Sequence, residues 1–326
     1  MFQSMSTKVC LALLLALALL LSVVAQEKPL PVIPWLEKHE KDIDSLKSLQ
    51  IPSEVLKNCM VEINGELILD MSADFWCRLG VNEQKQYAAA YQVWYARKHG
   101  LELEKVVNLN GVPLVMRLIP PGKFWMGSPE NEIGRENDEN RHQVAISKSY
   151  YIGKYEVTQL QLESAMGNNS SSFKDSNTPA RGVSWNDCQN FCGKNSLKLP
   201  TEAQWEYACR AGVTYAYCGT SPDEYGWYKD NSKDMIHPVG QKSPNSWGLY
   251  DMHGNVFEWC LDWKRDYSSE EVSDPIVLST ASERVFRGGS FSLNAQSCRS
   301  GNRGGSEEGN QGNYLGFRVL LKLTEK

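Results

Sequence analysis

Sixteen residues, Gly248 to Trp263, constrain this chain more than any other stretch: they read GLYDMHGNVFEWCLDW. Four aromatics, three acids, one asparagine and two glycines alternate there. Apolar anchors interleaved with oxygen donors and permissive backbone predict a structured loop rather than a helix or strand, because glycine adopts angles that other residues resist. Asp251, Asn255 and Glu258 are hard oxygen donors of the kind calcium takes together with backbone carbonyls. Taken alone, the stretch is equally readable as a packed loop with solvated acids.

Ten tryptophans and fourteen tyrosines supply bulk for a core and for an aromatic binding site, and 326 residues suffice for one large domain or two. A net charge of -5 without long runs of one sign argues against nucleic acid or an anionic membrane surface as partner. The first 25 residues read as a secretory signal: Lys8 is followed by an apolar run from Leu11 to Val24, and Val23-Val24-Ala25 precedes a cut at Gln26. An uncleaved anchor is the alternative, since the run approaches the ~18 residues of a spanning helix. Cys10 precedes the run, which argues against lipid attachment. Either way the chain is expected to be secreted, or periplasmic or otherwise in the cell envelope.

Beyond the signal stand Cys59, Cys77, Cys188, Cys192, Cys209, Cys218, Cys260 and Cys298, an even set with no CxxC pair. In an exported chain that pattern predicts disulfides rather than zinc. Cys59 and Cys77 bracket a hairpin and are close enough in sequence to be bonded to each other.

Residues 26–105 form one region and 106–326 another. In the first, the charged segment Leu36 to Leu49 and the segment Val81 to His99 have helical spacing, with Gly100 as a C-cap. Asn64-Gly65 sits between apolar runs and predicts a hairpin through a type I′ turn; Asn110-Gly111 predicts a second. In the second region, Ser184 with Asp187 and Thr201 with Gln204 are capping boxes that open two helices. Past Gly212 the chain reads as loop and short strand, which demands pinning by aromatics, disulfides or metal.

The motifs IPPGKFWMGS from Ile119, YYIGKYEVTQ from Tyr150, PARGVSWNDC from Pro179, LPTEAQWEYACRAG from Leu199, NSWGLYDMHGNVFEWCLDW from Asn245, RVFRGGSF from Arg284, CRSGNR from Cys298 and LGFRV from Leu315 follow one another in order. Together they resemble the formylglycine-generating enzyme, or sulfatase-modifying factor, family. The resemblance implies an α+β fold related to C-type lectins, with little regular secondary structure, preceded here by the small helix and hairpin region. It implies a structural calcium held by the Asp251 and Glu258 side chains and the Gly254 and Val256 carbonyls. A second family calcium site would begin at Asn231, but the stretch to His237 is shorter than that site's loop.

The family's enzymes oxidise a sulfatase cysteine to formylglycine with copper and oxygen at two cysteines, spaced five apart, after the GGS turn. Soft thiolates suit Cu(I), and the deprotonated form is also the nucleophile. Here the turn is Gly288-Gly289-Ser290; counting forward, Leu293 occupies the first position and Cys298 the second. Counting back from Leu315-Gly316-Phe317-Arg318, Cys298 is instead a structural residue beside Arg299. Neither count yields two thiols, so the copper oxidase is expected to be absent, with Cys298 disulfide-bonded to Cys209 and Cys192 to Cys260. A sister branch that binds iron through clustered histidines is disfavoured, because the five histidines are scattered. Ser290 is a candidate nucleophile, without a GxSxG elbow. Arg287, Arg299, Arg303 and Arg318 are read as internal salt bridges in preference to an anion-binding patch. The leading expectation is a calcium-stabilised module binding a sulfatase-like peptide or a glycan near the turn; the alternative is an active oxidase whose second thiol comes from Cys218 or Cys260.

Overall fold

The computed structural model describes residues 38–167 and 177–323. The signal segment therefore lies outside the described residues. The chain divides into two compact units, residues 1–43 and 44–326. All strands among the described residues belong to the second.

Both asparagine-glycine hairpins form. β1 (Met60–Ile63) pairs antiparallel with β2 (Glu66–Asp70), and the intervening Asn64 and Gly65 take φ of 52° and 83°. β3 (Glu104–Leu109) and β4 (Val112–Ile119) repeat the arrangement around Asn110 and Gly111, at 49° and 95°. Positive φ at both turn residues is the I′ requirement that asparagine and glycine meet with least strain. The helix Val81–His99 stops at Gly100, whose φ is 61°.

The first hairpin does not stand apart. β2 runs parallel to β5 (Gly122–Met126), which pairs with β6 (His142–Ile146), and β9 (Val272–Ser273) completes a sheet ordered β1-β2-β5-β6-β9. A second sheet adds β7 (Tyr150–Gly153) and β13 (Leu320–Lys322) to the second hairpin, in the order β13-β7-β4-β3. The third is built from β8 (Phe257–Trp263), β10 (Arg284–Arg287), β11 (Arg303–Ser306) and β12 (Leu315–Gly316), in the order β11-β10-β8-β12.

The capping boxes behave as predicted: the Ser184 hydroxyl accepts from Asp187 N and the Thr201 hydroxyl from Gln204 N, opening the helices Trp185–Lys194 and Glu202–Arg210. One correction concerns the stretch from Gly248 to Trp263. Gly248 to Val256 is loop, but Phe257 to Trp263 is β8, and it is buried along nearly its whole length. A strand covered on both faces shows no alternation in sequence, so its residues read as loop.

Long loops are held by four buried indoles whose N–H groups find acceptors. Trp76 donates to Gly212 O at 2.8 Å, Trp247 to Ala88 O at 3.1 Å, Trp259 to Val183 O at 3.0 Å, and Trp205 to Glu258 Oε2 at 2.6 Å. Disulfides do not contribute: all eight cysteines from Cys59 to Cys298 are free thiols, which corrects the expected pairings. Four of the expected partners meet other polar groups. Cys209 Sγ lies 3.8 Å from His253 Nε2 and 3.6 Å from Ser300 Oγ, Cys298 Sγ 3.8 Å from Asn294 O, Cys260 Sγ 3.9 Å from Glu258 O, and Cys77 Sγ 3.9 Å from Ser72 O.

Candidate functional site

β10 delivers the chain to Gly288 and Gly289, with φ of 99° and 79°. A Cβ at Gly289 would collide with Cys298 Sγ, and one at Gly288 would press on Trp205 at 3.1 Å. The two glycines thus let the short 3-10 helix Ala295–Cys298 tuck beneath the turn. Asn294 caps that helix, its Oδ1 accepting from Ser297 N at 3.1 Å. Cys298 is fully buried there, and burial pushes its thiol up to about 12. Enclosed and protonated, that thiol is not poised as a nucleophile. Leu293, at the first cysteine's position counting forward, is 38% exposed. Ser290 is buried, and its hydroxyl is 3.3 Å from that of Ser292, which is no base to activate it.

His253, read from sequence as a polar loop residue, is buried and joins three segments. Its Nδ1 donates to Cys298 O at 2.9 Å, which leaves Nε2 to accept from Cys218 N at 3.1 Å. The glycine-turn segment, the Cys218 loop and the GNVFEW loop are therefore tied through one imidazole. Tyr217 OH donates to Ala295 O at 2.8 Å, and Ser300 N to Ala216 O at 2.7 Å. Beside these contacts opens a mostly apolar cleft of about 340 Å³, lined by Val81, Tyr215, Ala216, Tyr217, Gly219 and Thr220. Tyr215 is half exposed.

On the other side of His253 the loop turns through Asp251, Gly254 and Asn255 at φ of 59°, 140° and 63°. Gly254 is obligatory, since a Cβ would strike Trp227 O. Asp251 Oδ2 accepts from Gly240 N at 2.7 Å, but Oδ1 is buried without a hydrogen-bond partner. Glu156, which sequence reasoning did not single out, shares this region: Asn255 Nδ2 donates to its Oε2 at 3.4 Å, and Oε1 is buried without a hydrogen-bond partner. Burial pushes the Asp251 carboxyl up to about 6 and the Glu156 carboxyl well above its ordinary range, with Asp251 adding to the latter. Glu258 differs. Its Oε1 takes Arg318 Nη2 at 2.7 Å, and its Oε2 takes Arg318 Nε at 2.8 Å in addition to the Trp205 indole.

The predicted calcium ligands therefore fit the ion in part. Asp251 holds a buried oxygen with no proton donor, as a cation site would, and Glu156 offers a second. Glu258 is already bidentate to a guanidinium. Among the described residues no group of three or more His, Cys, Asp or Glu side chains is placed to hold a metal; an oxygen set relying on carbonyls would not be of that kind.

The four arginines are internal, as predicted. Arg287 pairs with Glu206, Arg299 with Glu132 at 2.6 Å and Glu139 at 2.7 Å, Arg303 with Glu202 at 2.7 Å, and Arg318 with Glu258.

Residues 113–323, well over half of the chain, match the model of the sulfatase-modifying factor enzyme 1-like domain. The formylglycine-generating enzyme of Mus musculus is 32% identical over 253 residues, spanning 71% of this chain and 64% of that enzyme. The chaperone protein LppX of Paenibacillus barcinonensis is 32% identical over 174 residues, spanning 35% of this chain and 62% of that protein. The chain thus covers under two thirds of the length of these relatives. Among solved structures, Treponema denticola variable protein 1 superposes with a TM-score of 0.63 at 28% identity, covering 68% of this chain and 100% of that one. This chain belongs to the sulfatase-modifying factor family, and its mixed helix and sheet architecture is that of the formylglycine-generating enzyme fold.

Proposed function

We propose that this chain is an exported, calcium-stabilised binding or accessory module of the family that lacks the copper oxidase activity. The observation that carries the reading is Cys298: a single thiol enclosed beneath the glycine turn, with Leu293, counting forward, at the other cysteine's position. What remains beside the turn is the aromatic cleft around Tyr215 and Tyr217, whose shape and lining suit a sulfatase-like peptide or a glycan. The expected test result is no aldehyde when the protein is incubated with Cu(I), oxygen and a CxPxR peptide, together with peptide or glycan binding that Tyr217→Ala weakens. Aldehyde formation would overturn the proposal.

Calcium would be held by Asp251, with Glu156 beside it, and by the Gly254 and Val256 carbonyls, while Glu258 stays with Arg318. It would supply the positive charge that the buried acids lack, and fix the loop carrying His253. A melting temperature unchanged between calcium and chelator would count against it, because a ligand of the folded state alone raises stability by mass action.

One observation favours the alternative, an active oxidase. His253 draws the Cys209, Cys218 and Cys298 segments together, and its imidazole lowers the Cys218 thiol against the larger upward effect of burial. Under that reading, Cys218→Ser abolishes aldehyde formation, whereas under ours there is none to abolish.

A further inference from the structure

A second cleft, of about 470 Å³, opens between the start of β7, the end of β13, the segment around Lys198 and the irregular segment after β9. Its floor is apolar, with Leu199 and Leu320 buried in it. The polar groups of the floor are already engaged: the Tyr150 hydroxyl donates to Gln204 O at 2.7 Å, and the Thr201 hydroxyl accepts from Gln204 N at 3.2 Å. The mouth has two contrasting features. Ile276 and Leu278 stand 45% and 64% exposed on one wall, and Lys148, Lys198 and Lys322 are exposed around the rim. Asp274, the one acid of the lining, spends both oxygens on the backbone and hydroxyl of Ser147. Lys198 and Lys322 therefore bring two ammonium groups to the mouth of an apolar cleft that holds the single carboxylate of Asp274, in a chain of net charge -5.

We propose that this cleft binds a small amphipathic carboxylate, with its alkyl chain against Leu320, Ile276 and Leu278 and its head between Lys198 and Lys322. The volume lies within the range of small-molecule sites. Single exposed hydrophobics are ordinary, but two at the mouth of an apolar cleft form a continuous surface that a chain can cover. Lysine offers a compact point charge, so the rim selects a negative head rather than one planar geometry. A peptide partner is the weaker fit. β13 is paired with β7 on one side, and Leu320 is bridged to Lys198 on the other, which leaves no free edge at Leu320 for strand addition.

Calorimetric titration of the whole protein with decanoate, decanol and acetate, below the concentration at which decanoate aggregates, tests the assignment. Decanoate is expected to bind saturably and at least ten-fold more tightly than either of the others. The double variant Lys198→Glu, Lys322→Glu changes exposed residues, and should keep the melting temperature while weakening decanoate ten-fold or more. Leu278→Asp, on an exposed segment, should weaken it comparably and supplies the same readout if the double variant is less stable. Absence of decanoate binding, decanol binding as tightly as decanoate, or unchanged affinity in folded variants would each overturn the proposal.

Discussion

Two sets of buried carboxylates lie within this fold, and they behave in opposite ways. Glu139, Glu202, Glu206 and Glu258 are each clamped by an arginine, whereas Asp251 and Glu156 each keep a buried oxygen without a hydrogen-bond partner. Burial disfavours the charged form of any carboxyl. In the first set, Arg299 and the Ser128 hydroxyl overcome burial at Glu139, and Arg303 and Arg287 overcome it at Glu202, so both carboxyls end below their ordinary range. In the second, burial wins, and Asp251 is pushed up to about 6. The difference is a countercharge, not depth. The arginine-clamped set has its countercharges within the protein, whereas the other set has no arginine of its own and is where the proposed calcium would act.

Breaking the clamped set should have the largest effect. Arg287 donates to Ser300 O, Gly301 O and Asn302 O at 2.9, 3.1 and 2.7 Å, besides its pair with Glu206. Arg287→Met takes the donor from Glu206 Oε2 and from three carbonyls, while Arg210 keeps Glu206 Oε1 at 2.8 Å, and should cost about 3–5 kcal/mol in denaturant melts. A cost below about 1 kcal/mol, the level of an exposed pair, would erase the contrast.

Asp262 sharpens it through pH. It accepts from Glu202 N at 2.8 Å and Val277 N at 2.7 Å, yet burial and the neighbouring Glu202 push it up to about 7 from 3.8. A folded pKa above the unfolded one means that the folded state holds the proton longer. This contribution is full below about pH 4 and is lost as pH rises through about 7, at roughly 1 kcal/mol per pH unit. Subtracting the stability of Asp262→Asn from that of the parent between pH 4 and 8 should give that downward slope; a flat or rising difference would contradict it.

The unclamped set should respond with the opposite sign to Arg287. In chelator at pH 8, Asp251→Asn removes a charge that burial disfavours and keeps an oxygen for Gly240 N, so stability should rise by on the order of 1–3 kcal/mol. In excess calcium the same variant should lose the increment that the parent gains. Destabilisation in chelator would mean that Asp251 is served by protein alone.

How much of this was legible depends on the range of each interaction. The asparagine-glycine turns, the capping boxes at Ser184 and Thr201, and the end of the helix at Gly100 are decided within a few residues, and all were readable. The burial of Arg318 was foreseeable from its place in the last apolar run, between Phe317 and Val319. Its partner Glu258, 60 residues away, could not be paired with it from local pattern. Glu156 was missed because a lone acid in an EVT motif carries no local mark of burial. The cysteines misled because an even count says nothing about what each sulfur faces, and Cys209 faces His253. The strand β8 was hidden by burial on both faces.

The smallest effect returns to the comparison through the helix that carries half of the clamped set. Glu202, Glu206 and Arg210 share Glu202–Arg210, which Thr201 opens by accepting from Gln204 N while Gln204 Oε1 accepts from Thr201 N at 3.0 Å. Thr201→Ala removes one cap and should cost about 1 kcal/mol. Because the loss falls on the helix of Glu202 and Glu206 and not on the loop of Asp251, the stability gained from calcium should be the same in variant and parent. Measuring both proteins with calcium and with chelator checks it: a calcium increment that shrinks along with the cap would show that the two carboxylate sets are coupled and not independent.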